Sequence, residues 1–491
     1  MRSIKIMGQD KVDVRGYILL AAFMLSIMLN ACTKEVPAAT QGNYVAQVDI
    51  TIQDSKESIE EKYQAKVSLW QPELGFALLV FDQKPDISTL AYAAESNQDT
   101  FYAPFRIAGS ASGSAAWGGG SAVWGGGSAA WGGGSAAWGG GSTAWGGGQG
   151  FSGSFAPQRA NAAIWDKLDL GEAYDIARTW GAGITVAVID TGIDLSHPAL
   201  QRQLSPSSTW YDFVDNDNSP QEVAGGLGYG HGTAVAGIIL QVAPEAKIMP
   251  LRVLDAYGYG DTDDIVSAIY LAVSYGADII NLSLGSGQMS SLLSTAIDYA
   301  YNQGVFVFVS MGNEGYSDNL LFPSSLASSD GSSSRKYNVF AIGSVNASNQ
   351  ISVFSNYKRE LNGTITAGAI RFFSYGESIY TLYPEGRTIY ATGTSFATPI
   401  VTGTMALMCA ASQKANFSTR KLYCGENRGY NENLANFSNA YWNLYVGTRE
   451  QVYQSSGDLR QLLGVDHNSP NRIEGRINIK STLQAWWNYR N

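Results

Sequence analysis

The chain is 491 residues long, 45% hydrophobic and 12% aromatic, with a formal net charge of -10. That much apolar material supplies one large core and a smaller domain, which excludes a disordered or fibrous chain. The acidic balance excludes a general nucleic-acid binder, because phosphate contacts need a cationic surface, and otherwise reports solubility.

In chain order, Lys5, Lys11 and Arg15 precede an apolar run over 17–29, and small Ala31 then meets Cys32. This is the layout of a secretion signal, and the run is shorter than the ~20 residues a spanning helix needs. Leu29-Asn30-Ala31-Cys32 resembles a bacterial lipobox. That resemblance implies a signal over 1–32, lipidation of Cys32, a tether over 33–42 and a membrane anchor on the extracytoplasmic side. An ordinary cleaved signal with an incidental cysteine is the other reading. With Cys32 lipidated, Cys409 and Cys424 remain, an even number in an oxidising compartment. A disulfide between them and a buried free thiol at Cys409 both stay open.

Alternation in Tyr44-Val45-Ala46-Gln47-Val48-Asp49-Ile50, a polar helical stretch over 55–63 and apolar runs over 65–69 and 76–81 predict a small α+β domain within 43–108. Over 109–150, Trp117, Trp124, Trp131, Trp138 and Trp145 recur every seven residues, each followed by three glycines. A helix would lose ~3 kcal/mol per repeat to those glycines, and an odd period sends successive tryptophans of a strand to opposite faces. A flexible linker is the default, with indoles docking on a surface or polymer as the second reading.

In 151–491, the run Gly183-Ile184-Thr185-Val186-Ala187-Val188-Ile189 reads as a buried parallel strand ending at Asp190-Thr191-Gly192. Ligands of open α/β sheets bind at that end of a strand. Gly230-His231-Gly232-Thr233 opens a helical segment. Gly393-Thr394-Ser395-Phe396-Ala397-Thr398-Pro399 reads as a tight turn holding Ser395 at the start of another helix, with Val401, Met405 and Met408 on its apolar face. A serine hydroxyl is a poor nucleophile until a base takes its proton, and an imidazole suits that exchange near neutral pH. Singly, the acid is as readily a helix cap and the histidine a structural residue.

Together, Asp190, His231 and Ser395 in that order, with their local motifs, resemble subtilisin-like serine peptidases over roughly residues 160–488. The α/β-hydrolase order, with acid and histidine after the serine, is not matched. The resemblance implies an α/β fold of three layers, a largely parallel central sheet flanked by helices, with the small front domain acting as a propeptide. A spacer or adhesion domain is the alternative for 43–108. It also implies that Asn313, in Phe308-Val309-Ser310-Met311-Gly312-Asn313-Glu314, joins the Ser395 N–H in an oxyanion hole. Leu254, Gly258 and Gly260 on one edge and Ser283, Leu284 and Gly285 on the other would hold an extended peptide. Ser283–Gly285 and Ser310–Gly312 would wall the pocket before the scissile bond, and Glu314 at its rim would favour a basic side chain.

Relatives with a tight calcium site have an acid after His-Pro, where Ala199 stands here, and a longer loop in the helix after the histidine, absent here between Ile239 and Val242, so the resemblance implies that this site is missing; the closely spaced Asp212, Asp215 and Asp217 read as an acidic surface loop. No cofactor is expected for the chemistry, while structural calcium stays open. Insertions over 326–336, 358–373 and 416–453 read as loops. The resulting expectation is an endopeptidase acting on polypeptides, held as a zymogen by its own propeptide and placed in the bacterial envelope or secreted. An inactive binding protein on the same fold and a tryptophan-repeat adhesin are the alternatives.

Overall fold

The computed structural model describes residues 43–85, 90, 94–96, 101–102, 159–315, 320–327, 339–357, 371–414 and 476–490. The signal with Cys32, the tether, the tryptophan repeat, Cys424 and most of the three insertions lie outside the described residues.

The front domain has the predicted elements β1 (Tyr44–Asp49), α1 (Lys56–Tyr63), β2 (Lys66–Gln71) and β3 (Phe76–Phe81), and adds a short β4 (Glu95–Ser96) that the sequence did not announce. They form an antiparallel sheet in the order β2-β3-β1-β4. Ser55 starts α1 because its hydroxyl accepts from Ser58 N at 3.2 Å while Ser58 Oγ accepts from Ser55 N. Ile59 then packs with Val48, Leu79 and Phe81 into a core of its own. β5 (Phe101–Tyr102) leaves this sheet and pairs elsewhere.

The larger region runs α2 (Ala162–Lys167), α3 (Leu170–Ala177), β6 (Thr185–Asp190), β7 (Tyr211–Asp212), α4 (His231–Val242), β8 (Lys247–Arg252), β9 (Tyr259–Gly260), α5 (Thr262–Ser274), β10 (Ile279–Leu282), α6 (Ser291–Asn302), β11 (Phe306–Ser310), β12 (Phe340–Val345), β13 (Arg371–Tyr375), β14 (Ile379–Tyr383), β15 (Arg387–Ala391), α7 (Thr394–Lys414) and α8 (Ile479–Arg490). Seven strands form one sheet in the order β13-β12-β11-β10-β6-β8-β7, and every pairing in it is parallel. Such strands are covered on both faces, which is why β10, β11 and β12 are buried throughout and mostly apolar. The stacked rings of Phe308, Phe340 and Phe372 run across three neighbouring strands. The helices α4 and α7 pack on one another, as do α5 and α6.

β13 corrects the loop expected over 358–373, because Arg371, Phe372 and Phe373 pair in register with Ala341, Ile342 and Gly343 of β12. The two phenylalanines are the apolar load of that edge strand, both buried.

Thr394–Ala411 is the one helical stretch among the described residues long and apolar enough to cross a membrane, and it is wholly buried. It is the core helix of this domain. Cys409, near its far end, is buried and disulfide-bonded.

Strand order places the site. β8 adds on one side of β6 and β10 on the other, so the crevice for ligands opens at the carboxyl ends of β6 and β10.

Candidate active site

Asp190 is the last residue of β6 and fully buried. Its Oδ1 accepts from Thr191 N and from His231 Nδ1, each at 2.7 Å. An imidazole that donates through Nδ1 keeps its lone pair on Nε2, so Asp190 selects the tautomer that can act as a base.

His231 opens α4, and the chain can turn there because Gly230 takes φ 90°. The next residue decides how closely helix and strand approach. A Cβ on Gly232 would stand 2.1 Å from Gly192 O and 3.3 Å from Asp190 Oδ1. Gly232→Ala should therefore push α4 off β6, lowering turnover by about 100-fold, since misplacement by ~1 Å costs that much. Turnover per titrated active site, measured beside the melting temperature, checks it.

The His231 ring lies 5.3 Å from the ring of Phe396, the residue after Ser395, so the imidazole stands over the first turn of α7. Ser395 is buried, and its hydroxyl donates to Ser283 O at 3.3 Å. Pro399 has no N–H for the carbonyl four residues before it, which is that of Ser395. Ser283 supplies the missing donor, its Oγ bonding Ser395 O at 2.9 Å while accepting from Asn281 Nδ2 at 3.0 Å. The Ser283 side chain thus faces α7, and the β10 end is tied to the serine turn.

Asn313 follows β11. Its Oδ1 accepts from both Thr394 N and Thr394 Oγ1 at 2.9 Å, and Thr394 Oγ1 accepts from Gly312 N at 3.2 Å. With the amide oxygen held, the NH2 end points away from Thr394. Thr394 is a partner of Asn313 that motif reading passed over.

The two segments expected to line the substrate follow β8 and β10. Leu254, Gly258 and Gly260 follow β8, and β5 pairs antiparallel with β9, Phe101 opposite Gly260 and Tyr102 opposite Tyr259. An extended segment of the front region therefore already lies as an added strand on that edge. Tyr257 and Tyr259 are 57% and 50% exposed beside it, an aromatic rim not anticipated from sequence. In the segments after β10 and at the end of β11, Leu284 and Ser310 are buried, and a Cβ on Gly285 would press on Leu321. Gly312, at φ 103°, leaves no room for a side chain beside Asn356 and Glu314. Glu314 is half-buried and accepts from Asn356 Nδ2 at 2.5 Å.

The acids considered for a cation are occupied locally. Arg252 Nη1 bonds Asp212 Oδ2 at 2.7 Å and Asp215 Oδ2 at 2.5 Å, and Asp217 Oδ1 accepts from Ser219 N. Burial raises the Asp212 carboxyl, while loop N–H groups and Arg252 pull it back.

Residues 181–424 match the profile of the subtilase family. The chain is 36% identical over 254 residues to the thermophilic serine proteinase of Bacillus sp. (strain AK1), covering 50% of this chain and 56% of that protein. It is 33% identical over 260 residues to thermitase of Thermoactinomyces vulgaris, 51% of this chain and 82% of the relative. It is also 33% identical over 272 residues to subtilisin of Bacillus pumilus, 52% of this chain and 90% of the relative. Identity of one third sustained over nearly the whole of a relative leaves room for no other ancestry, and the chain belongs to the subtilase family.

Proposed function

We propose that the protein is a serine endopeptidase that cleaves polypeptides through an acyl-enzyme on Ser395. The observation that carries this is the Asp190–His231 hydrogen bond at 2.7 Å, set against the Ser395 turn beside an amide whose oxygen is held by Thr394. In this reading His231 Nε2 takes the Ser395 proton as Oγ attacks the carbonyl carbon. Asp190 stabilises the imidazolium, and the Asn313 NH2 and the Ser395 N–H receive the oxyanion. The imidazolium then protonates the leaving amine, and water repeats the sequence to release the acid. Labelling by a fluorophosphonate, abolished in Ser395→Ala, tests it; a wild-type protein that takes no label and cleaves no denatured protein substrate would end it.

The protein in this proposal is made as a zymogen, exported and lipid-anchored at Cys32, with the tryptophan repeat as the linker between propeptide and enzyme. Contacts between the front domain and the larger region support its reading as the inhibitor. Phe76 on β3 packs on Tyr270 of α5 at 5.1 Å, and Tyr270 on Tyr299 of α6 at 4.6 Å. Glu95 Oε1 accepts from Ser291 N at 2.6 Å and from the Ser291 hydroxyl, capping α6 with a negative charge where the helix dipole favours one. Glu95→Ala should weaken this docking by about 1 kcal/mol and so raise the inhibition constant of the separately added front domain about fivefold. An unchanged constant removes Glu95 from the account.

A further inference from the structure

Between β7 and α4 the chain carries a carboxylate that the reaction does not use. Glu222 is buried. Its Oε1 accepts from Thr233 N and Thr233 Oγ1, each at 3.0 Å, and its Oε2 from Gly230 N at 2.9 Å. The Thr191 hydroxyl lies 3.3 and 3.2 Å from the two oxygens.

Both hydroxyls receive an N–H of their own. Gly232 N donates to Thr191 Oγ1 at 3.0 Å, and Asp194 N to Thr233 Oγ1 at 2.9 Å. A hydroxyl has a single proton, so each is left to donate it to Glu222. The four groups facing this carboxylate are therefore all donors, an arrangement that an amide, with two donor hydrogens, cannot satisfy.

The contacts enclose the acid–imidazole pair. Thr191 directly follows Asp190, while Gly230 and Thr233 bracket His231. Gly230 precedes α4 with no side chain to cap it, so the N–H groups of the first turn are met from a distance, Gly232 by Thr191 and Thr233 by Glu222. Burial pushes the Glu222 carboxyl up and the charge of Asp190 raises it further, while the Gly230 and Thr233 N–H groups pull it down; with four donors and no acceptor around it, the geometry favours the ionised form. A residue kept at that cost in so many bonds is consistent with a role beyond filling space.

We propose that Glu222 is a positioning residue of the triad, which ties the end of β6 to the first turn of α4 and thereby sets the Asp190–His231 hydrogen bond. The inference rests on the peptidase reading above, but its test includes a signal that needs no turnover. In purified full-length protein, Glu222→Gln should lower kcat per fluorophosphonate-titrated site 10- to 100-fold, the range for groups that orient a functional histidine from behind. KM should stay within about twofold, because no substrate contact is touched. The downfield proton resonance of His231 Nδ1–H should shift or broaden, and Glu222→Asp should restore part of both readouts.

An unchanged resonance and unchanged kcat per titrated site in Glu222→Gln would overturn the proposal, and so would fewer titratable sites each with full kcat, which is what a purely structural role produces. Should Glu222→Gln fail to fold, Thr191→Val removes one of the four donors at constant shape, and an unmoved resonance there is equally fatal. A wild type that shows the resonance, loses it in Glu222→Gln and yet cleaves nothing would end the peptidase reading and leave the positioning role standing.

Discussion

Ser395→Ala is expected to reduce turnover of a peptide substrate about 10⁶-fold, the loss measured for the corresponding serine in subtilisin. The size follows from what is removed: without Oγ no acyl-enzyme forms, and His231 and Asp190 have no nucleophile to serve. Residual hydrolysis would come from substrate binding and the oxyanion donors acting on bound water. Stability should hardly change, since the hydroxyl makes a long 3.3 Å bond to Ser283 O and the Ser283 Oγ contact goes to the backbone of Ser395, which alanine keeps. Single-turnover kinetics with a chromogenic peptide, read beside the melting curve, checks both halves. A fall below 10³-fold would mean that another group attacks the carbonyl.

The second large effect is at Asn313. Asn313→Ala should lower kcat by about 10²–10³, as removal of the matching donor does in subtilisin. Here the structure adds a cost that the motif does not show. Asn313 Oδ1 is the acceptor for both Thr394 N and Thr394 Oγ1, so alanine leaves two buried donors at the start of α7 unmet, at roughly 1–3 kcal/mol each. The alanine variant should therefore melt earlier as well as work slowly. Asn313→Asp separates the two effects, because a carboxylate keeps the acceptor for Thr394 while removing the NH2 and adding charge where the oxyanion forms. Its melting temperature should stay near wild type while kcat falls at least as far as in alanine. If both variants retain wild-type kcat, the oxyanion is received elsewhere.

The parts of the site that were legible in the sequence are those made by a few adjacent residues. Ile189-Asp190 ends an apolar β-branched run, Gly230-His231-Gly232 opens a helix, and Gly393-Thr394-Ser395 turns into another. Small residues at such points are demanded by local close approach, as the 2.1 Å clearance at Gly232 makes plain. β1, β2, β3 and the helix of the front domain were equally legible, because alternation, apolar runs and helical composition are local signals. The edge strand at Phe372 and Phe373 was not. Its pattern is short and follows a polar insertion, and only pairing with β12 makes it a strand.

Glu222 and Thr394 were passed over for a related reason. An acid ahead of a glycine-rich stretch looks like a solvated loop residue, and a threonine beside the candidate nucleophile Ser395 looks like spacing. Each has a partner far along the chain: Glu222 bonds Gly230 and Thr233 nearby but also Thr191, 31 residues away, and Thr394 is 81 from Asn313. Ser283 is 112 residues from Ser395. No periodicity encodes such pairs.

By itself the amino-acid order determined which groups can do chemistry and which end of each strand or helix carries them, since backbone conformation and motif geometry are set over a few residues. Only the tertiary structure decided which oxygen of Asp190 meets His231, which way the Asn313 amide is turned, and that Glu222 lies behind the pair rather than in water. Those choices depend on donors and acceptors brought together by a parallel sheet whose neighbouring strands are distant in sequence, and burial makes each unmet group costly enough to enforce them.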